Sequence, residues 1–403
     1  MKRIDVRPST LSIWRCLLIL IGVHAHAGTA LADDVLDRFP PPRQDFELHI
    51  EQVRAHLLDT QLEGRRPRDV EYNVPFERRA SDGVPYRGRY LLVHGLNDSP
   101  AVWRDVAQAL VARGFDVRAI LLPGHGNTPE AQLHVSWKQW LGAARSHLEH
   151  WRSPGVPMYL GGFSLGGVIA TLLALESDDI DGLFLFAPAW RSTRVNLLRW
   201  ASLVAPFKPW VFGGMIIEDN PTKYNSIPIN AAAQYYRMAR HLQRRWKGRT
   251  LAMPVLVVET IDDSVVDVAA TRHLFATRFG SSRRRLLLYG NSPVEAGEHE
   301  IVRPSRYPAV RILNQSHQGL MVSPRNALFG ERGTQLVCNG NEWSVFSACL
   351  YYAKGPHWYG AEATASPDGV PVARTTFNPD FEGVMALHDE VFGVDANRQE
   401  PAR

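Results

Sequence analysis

The 403-residue chain carries Gly162-Phe163-Ser164-Leu165-Gly166, a G-x-S-x-G pentad, at the junction of two apolar segments. Pro157-Met158-Tyr159-Leu160 leads in with strand character, and Val168 to Leu175 leads out with helical character. Strand, sharp turn and helix in that order form a nucleophile elbow, which lifts a serine hydroxyl clear of a sheet. Glycines two positions either side keep neighbouring side chains out of the bend. The pentad is short enough to arise by chance. A plain glycine-rich turn competes with the functional reading until other residues join it.

A serine hydroxyl is a poor nucleophile at its own pKa and needs a base and an orienting acid. Both occur downstream, in the order acid then histidine. After the apolar run Pro254–Glu259 come Ile261-Asp262-Asp263-Ser264-Val265-Val266-Asp267. Asp263 is the expected acid, because it opens an acid-x-x-Val pattern in which Val266 can pack back and anchor it. Asp262 is the close competitor. Asp267 suits a helix cap, and Glu259 lies within the strand, where an acid could turn away from the cleft. Of fifteen histidines, those beyond Asp263 are His273, His299, His317, His357 and His388. Two of these fall in helical patterns, His299 in a charged loop over 295–300, and His357 among aromatics. His317 follows an apolar run at 309–313, expected as a buried strand, and sits in a small polar turn; it is the expected base. The oxyanion of an acyl intermediate needs two preorganised N–H donors. Leu165, just after the serine, is one expectation. Leu96, in the loop His94-Gly95-Leu96-Asn97-Asp98-Ser99, is the other. His94 and His125 are read as braces for these loops.

The elements that must position these groups alternate. Apolar strands at 89–93, 115–121, 157–160, 182–186, 254–259 and 285–288 are separated by helical patterns, which predicts a mainly parallel sheet covered on both faces. The alternation lapses over 191–250, a stretch of helical character containing Trp200, Phe207, Trp210, Phe212, Tyr224, Tyr235 and Tyr236. An inserted helical cap explains it better than a structureless loop of that length. Most of its aromatics are expected in the cap's own core, with a minority lining an acyl pocket. The expected organisation is 33–190 for the first part of the core, 191–250 for the cap and 251–403 for the rest, with 320–377 loop-rich.

Residues 1–32 read as a signal peptide. A basic start (Lys2, Arg3, Arg7) precedes a short apolar core, and Ala30-Leu31-Ala32 places the cut before Asp33. An uncleaved anchor is the alternative. The segment holds four Lys/Arg and one Asp, so its removal takes the formal charge from +4 to +1. No nucleic-acid partner follows from that balance. A periplasmic or secreted location makes a disulfide between Cys338 and Cys349 the favoured reading over two separate thiols.

Taken together, Leu92-Val93-His94-Gly95-Leu96, Leu122-Pro123-Gly124-His125-Gly126, Gly162 to Gly167, Asp263 with Val266, and His317 resemble the serine α/β-hydrolases. The branch they resemble is that of bacterial carboxylesterases and monoacylglycerol lipases. The resemblance implies an α/β-hydrolase fold, with an eight-stranded, mostly parallel sheet flanked by helices and a cap after the sixth strand. It implies hydrolysis of a small-molecule or lipid ester through an acyl-enzyme, with no cofactor and no metal. A glycerolipid lipase or lysophospholipase is the alternative, and a silent binding protein on the same fold the more distant one. An aromatic cap leaves room for peripheral membrane contact.

Overall fold

The computed structural model describes residues 36–60, 67–211, 220–291, 294–338, 356–361 and 366–394. The signal-peptide reading, Phe212 and Cys349 lie outside them. The uninterrupted apolar runs become strands covered on both faces: β2 (Gly88–Val93), β3 (Phe115–Ile120), β4 (Met158–Phe163), β5 (Gly182–Phe186), β6 (Val255–Thr260) and β7 (Arg285–Tyr289). With β1 (Phe76–Arg78) and β8 (Glu300–Arg303) at the edges they form an eight-stranded sheet in the order β1-β3-β2-β4-β5-β6-β7-β8. β1 is antiparallel to β3, and the other neighbours are parallel. This is an α/β-hydrolase fold.

Successive strand residues point to opposite faces, so each strand feeds two cores. Leu91, Val93, Leu160, Val255 and Val257 face one core. That side is covered by α4 (Trp137–Trp151), α5 (Leu165–Glu176), α8 (Ile229–Trp246) and α9 (Val268–Arg278). Tyr90, Leu92, Phe184, Phe186 and Val258 face the other core, under α3 (Arg104–Val111) and α10 (Phe381–Phe392). Local signals set the helix ends. Ser136 and Gln139 form a reciprocal capping box on α4, and the Asp267 carboxylate accepts from the Ala270 N–H at 3.0 Å to start α9.

The amino-terminal helix α1 (Phe46–Thr60) packs on the outside of the sheet, next to α2 (Pro67–Asn73). It solves a charge problem there. Arg118 is buried in β3, opposite Glu77 in register, and bonds its carboxylate at 2.8 Å. Its guanidinium also lies 4.0 Å from the ring centroids of both Phe46 and Trp151.

Three expectations change. The helical insertion, with short helices α6 (Val195–Leu198) and α7 (Ala201–Val204) before α8, follows the fifth strand and not the sixth. The run at 309–313 is not a sheet strand. Pro308 opens a 3-10 turn, Arg311 adopts φ 57°, and only Ile312 makes isolated bridges. The last sheet strand is instead β8, which begins at Glu300, where the stretch read as a charged loop ends. It is a half-exposed edge with no apolar run to announce it. The 320–377 segment carries a small parallel pair, β9 (Trp358–Gly360) and β10 (Val372–Arg374). It is sewn to the sheet's carboxyl edge. The Thr375 carbonyl accepts from the Ser316 hydroxyl, and Asp105 accepts from the Ser323 N–H at 2.8 Å.

Candidate active site

Ser164 sits between β4 and α5 with φ 53° and ψ −113°, a conformation that strains any residue with a side chain. The surroundings enforce it. The Ser164 N–H donates to the Phe186 carbonyl at 3.0 Å, and its own carbonyl accepts from Gly167 and Ala189, each at 3.0 Å. The flanking glycines are required by contact. A Cβ on Gly162 would lie 2.5 Å from the Gly166 carbonyl oxygen, and one on Gly166 would lie 2.0 Å from that of Val93.

The loop after β2 lies directly against the serine, since a Cβ on Gly95 would be 3.2 Å from the Ser164 Cβ. A turn closed by the Asp98 N–H to the Gly95 carbonyl, with Asn97 at φ 62°, places Leu96 half-buried beside the core. Leu165 is the first residue of α5, so its N–H has no intrahelical acceptor. His94 braces this loop. Its Nε2 accepts from the Leu122 N–H at 3.1 Å, which leaves the Nδ1 proton to donate to the Gly95 carbonyl at 2.8 Å. Burial and the neighbouring His125 keep His94 neutral, well below the usual histidine range. The His125 ring packs 4.9 Å from that of His94, and burial lowers its pKa to about 4.

The acid and the histidine meet 54 residues apart in sequence: His317 Nδ1 lies 2.6 Å from Asp263 Oδ2. The other carboxylate oxygen of Asp263 accepts from the Val265 and Val266 N–H groups at 2.7 and 2.8 Å. Burial opposes charge on Asp263. The facing His317 and these two amides prevail, and hold its carboxyl below the usual range. Val266 therefore anchors the acid through its backbone as well as its buried side chain. Asp262 points elsewhere, with its Oδ2 accepting from the Ser305 hydroxyl at 3.1 Å. The His317 ring lies 5.0 Å from that of Phe163, the residue before the serine. Of the other histidines, His388 is buried in the opposite core, with its Nε2 2.9 Å from the Tyr90 hydroxyl.

Two further carboxyls lie at the site: Glu259, expected to turn away from the cleft, and Asp98, given no role in the sequence. Glu259 is fully buried at the end of β6, near enough to Asp263 for the two charges to interact. Its Oε1 accepts from the Thr260 N–H at 3.0 Å. Burial first, and then the charge on Asp263, push its pKa well up, which favours the neutral carboxyl at Glu259. A lone acid ending a run of buried valines was the available signal, since such a carboxyl must find a partner. Asp98, beside Leu96, is buried too. Burial raises its pKa to about 6 against the pull of Lys223, the Ser99 amide and His317. In the cap, Tyr224 and Tyr235 are buried as expected, whereas Trp200 and Phe207 are exposed.

Residues 85–227 match the family model described as Hydrolase_4, serine aminopeptidase, S33. The pimeloyl-[acyl-carrier protein] methyl ester esterase of Vibrio cholerae is 38% identical over 89 residues, which cover 22% of this chain and 32% of that one. A thermostable monoacylglycerol lipase of Bacillus sp. is 28% identical over 93 residues, covering 23% and 37%. The chain thus spans about a third of the length of these curated relatives. Among solved structures, one reported with the metagenome-derived lipolytic enzymes LipS and LipT aligns with a TM-score of 0.46 at 19% identity, over 53% of this chain and 87% of that one. The Paleococcus ferrophilus monoacylglycerol lipase aligns with a TM-score of 0.43 at 21% identity, over 53% and 88%.

Proposed function

We propose that this chain, a serine α/β-hydrolase in its fold and in its match over residues 85–227, hydrolyses carboxylic esters through an acyl-enzyme on Ser164. The observation that carries the reading is the buried 2.6 Å Asp263–His317 hydrogen bond at the same sheet edge as the strained serine. In this reading Ser164 Oγ attacks the acyl carbonyl while His317 Nε2 takes its proton. The Leu96 and Leu165 amides receive the oxyanion. His317 then returns the proton to the leaving alcohol, and water repeats the sequence to free the acid. Asp263 keeps the His317 Nδ1 proton in place, which leaves Nε2 free to act as the base. Glu259, whose burial favours the neutral form, adds no second negative charge beside Asp263.

A glycerolipid ester is the second substrate reading, favoured by the monoacylglycerol lipase relative and by the apolar side chains that the cap exposes. The reading includes export, with a mature chain starting at Asp33; amino-terminal sequencing of the secreted or periplasmic protein checks it. A fluorophosphonate probe is expected to label the protein and to miss Ser164→Ala. Absence of labelling on the unaltered protein would refute the hydrolase reading. A p-nitrophenyl ester series of rising acyl length, with an aminoacyl p-nitroanilide beside it, then separates esterase, lipase and aminopeptidase.

A further inference from the structure

The cap presents an apolar face that its own packing does not use. Leu197, Trp200, Leu203 and Phe207 are 66, 51, 65 and 89% exposed. With Val204 and Val211 they make six of the ten exposed large apolar side chains among the described residues, so the patch is a concentration and not scatter. The segment is held from its other side. Ala201 packs with Ile229 and Ala233 of α8, and the Val211 N–H donates to the Ile227 carbonyl at 3.0 Å.

Charge says what covers this face. Between 191 and 211 the sequence has Arg191, Arg194, Arg199 and Lys208 and no Asp or Glu; Glu218 and Asp219 come only after the patch. Beside the patch, a cleft of about 630 Å³ opens between α6, α8 and α9, with Arg191, Arg199, Arg240 and His273 in its lining. Arg191 is matched by Asp267 at 3.2 Å. Arg199 lies over the Trp200 ring at 5.1 Å, and neither it nor Arg240 has an ion pair among the described residues.

We infer that this face of the cap docks on a bilayer containing anionic phospholipid, with Leu203 and Phe207 entering the acyl layer and the arginine cleft taking a headgroup phosphate. Clustered apolar side chains beside arginines fit an interfacial element. A second copy of the chain is a poor occupant, because two such faces would set cation against cation. The position also suits an ester hydrolase. The Thr193 N–H donates to the Val265 carbonyl at 3.0 Å, and the Val265 N–H donates to Asp263. Docking would therefore hold the Asp263–His317 edge near the lipid surface.

Binding requires no turnover, so the test uses the Ser164→Ala protein and stands apart from the hydrolase reading. Its co-sedimentation is measured with vesicles of phosphatidylcholine alone and of equal parts phosphatidylcholine and phosphatidylglycerol. Binding is expected on the mixed vesicles, with affinity about tenfold or more above that on phosphatidylcholine and falling with added salt. Leu203→Ser with Phe207→Ser should lower it by about tenfold or more. Arg199→Gln with Arg240→Gln should remove most of the preference for the anionic lipid, by about fivefold per charge. Circular dichroism and thermal melting establish that each variant is folded. No vesicle binding, equal binding to both compositions, or full retention by the folded apolar variant overturns the inference. So does a solution oligomer that the apolar variant abolishes, which would make the face a protein interface.

Discussion

Replacing Asp263 by Asn tests the site through a single proton. In the native arrangement Asp263 Oδ1 is committed to the Val265 and Val266 N–H groups at 2.7 and 2.8 Å, and Oδ2 faces His317 Nδ1 at 2.6 Å. Asparagine must leave its oxygen against those two donors, because its NH₂ there would leave three donors and no acceptor. The NH₂ therefore faces His317 Nδ1, which has to become an acceptor. The imidazole proton moves to Nε2, and the ring can no longer receive the serine proton. In the serine-protease triad the same replacement lowers kcat by about 10⁴-fold through the wrong tautomer. That loss corresponds to about 5 kcal/mol of barrier. Asp262→Asn is the internal control. Its Oδ2 only accepts from the Ser305 hydroxyl at 3.1 Å, which an amide oxygen does equally well. Its activity is expected within about a factor of three of the unaltered protein. The assay is kcat/KM on a short p-nitrophenyl ester at neutral pH, alongside the rate of fluorophosphonate labelling. Asp263→Asn keeping more than about a tenth of the activity would refute the reasoning, since a tautomer trap costs far more. A larger loss from Asp262→Asn would do the same.

The elbow's glycines make a paired prediction about stability. Gly162→Ala drives a methyl to 2.5 Å from a carbonyl oxygen and is expected to destabilise by about 3 kcal/mol or more, whereas Gly142→Ala, in the open on α4, should stabilise by about 0.5–1 kcal/mol; denaturant midpoints measure both. Acid should weaken the fold from near pH 6.5 downward. His49, His56 and His125 have folded pKa values lowered to about 4, so the unfolded chain binds more protons below the ordinary histidine value, and their stabilisation is present above pH 6.5 and lost towards pH 4. Asp98, raised to about 6, acts in the opposite sense, its contribution fading as pH rises through 6; melting temperatures from pH 4 to 8, with His125→Asn flattening the acid limb, test the balance. Cys338 is disulfide-bonded, and a non-reducing peptide map is expected to join it to Cys349. A map with Cys349 free would overturn that pairing.

The elements were legible where the signal is carried by neighbouring residues. Val255 to Val258 reads as a buried strand because four consecutive apolar residues leave no polar face. Ser136 and Gln139 announce a helix start because both partners of the capping box lie within one turn. The strand at 300–303 went unread, and the run at 309–313 was misjudged, for the converse reason. An edge strand needs only one partner and tolerates Glu300 and Arg303, while Arg311 at φ 57° bends the more apolar run out of the sheet. The cap aromatics divided in the same way. Helical spacing does not distinguish Tyr235, whose hydroxyl reaches the Ala189 carbonyl at 3.0 Å, from Phe207, which touches little.

By itself, then, the sequence determined the alternating sheet, the strained turn at Ser164, and an acid followed by a histidine at loop positions, because these follow from local periodicity, steric limits and chain order. Tertiary structure alone decided which of two adjacent aspartates meets His317, since one residue along a loop reverses a side chain's direction and only the Val265 and Val266 amides select Asp263. It alone brought Glu259 behind that aspartate. It also turned Leu203 and Phe207 outward beside Arg199, because exposure depends on what packs against a helix and not on the helix's own residues.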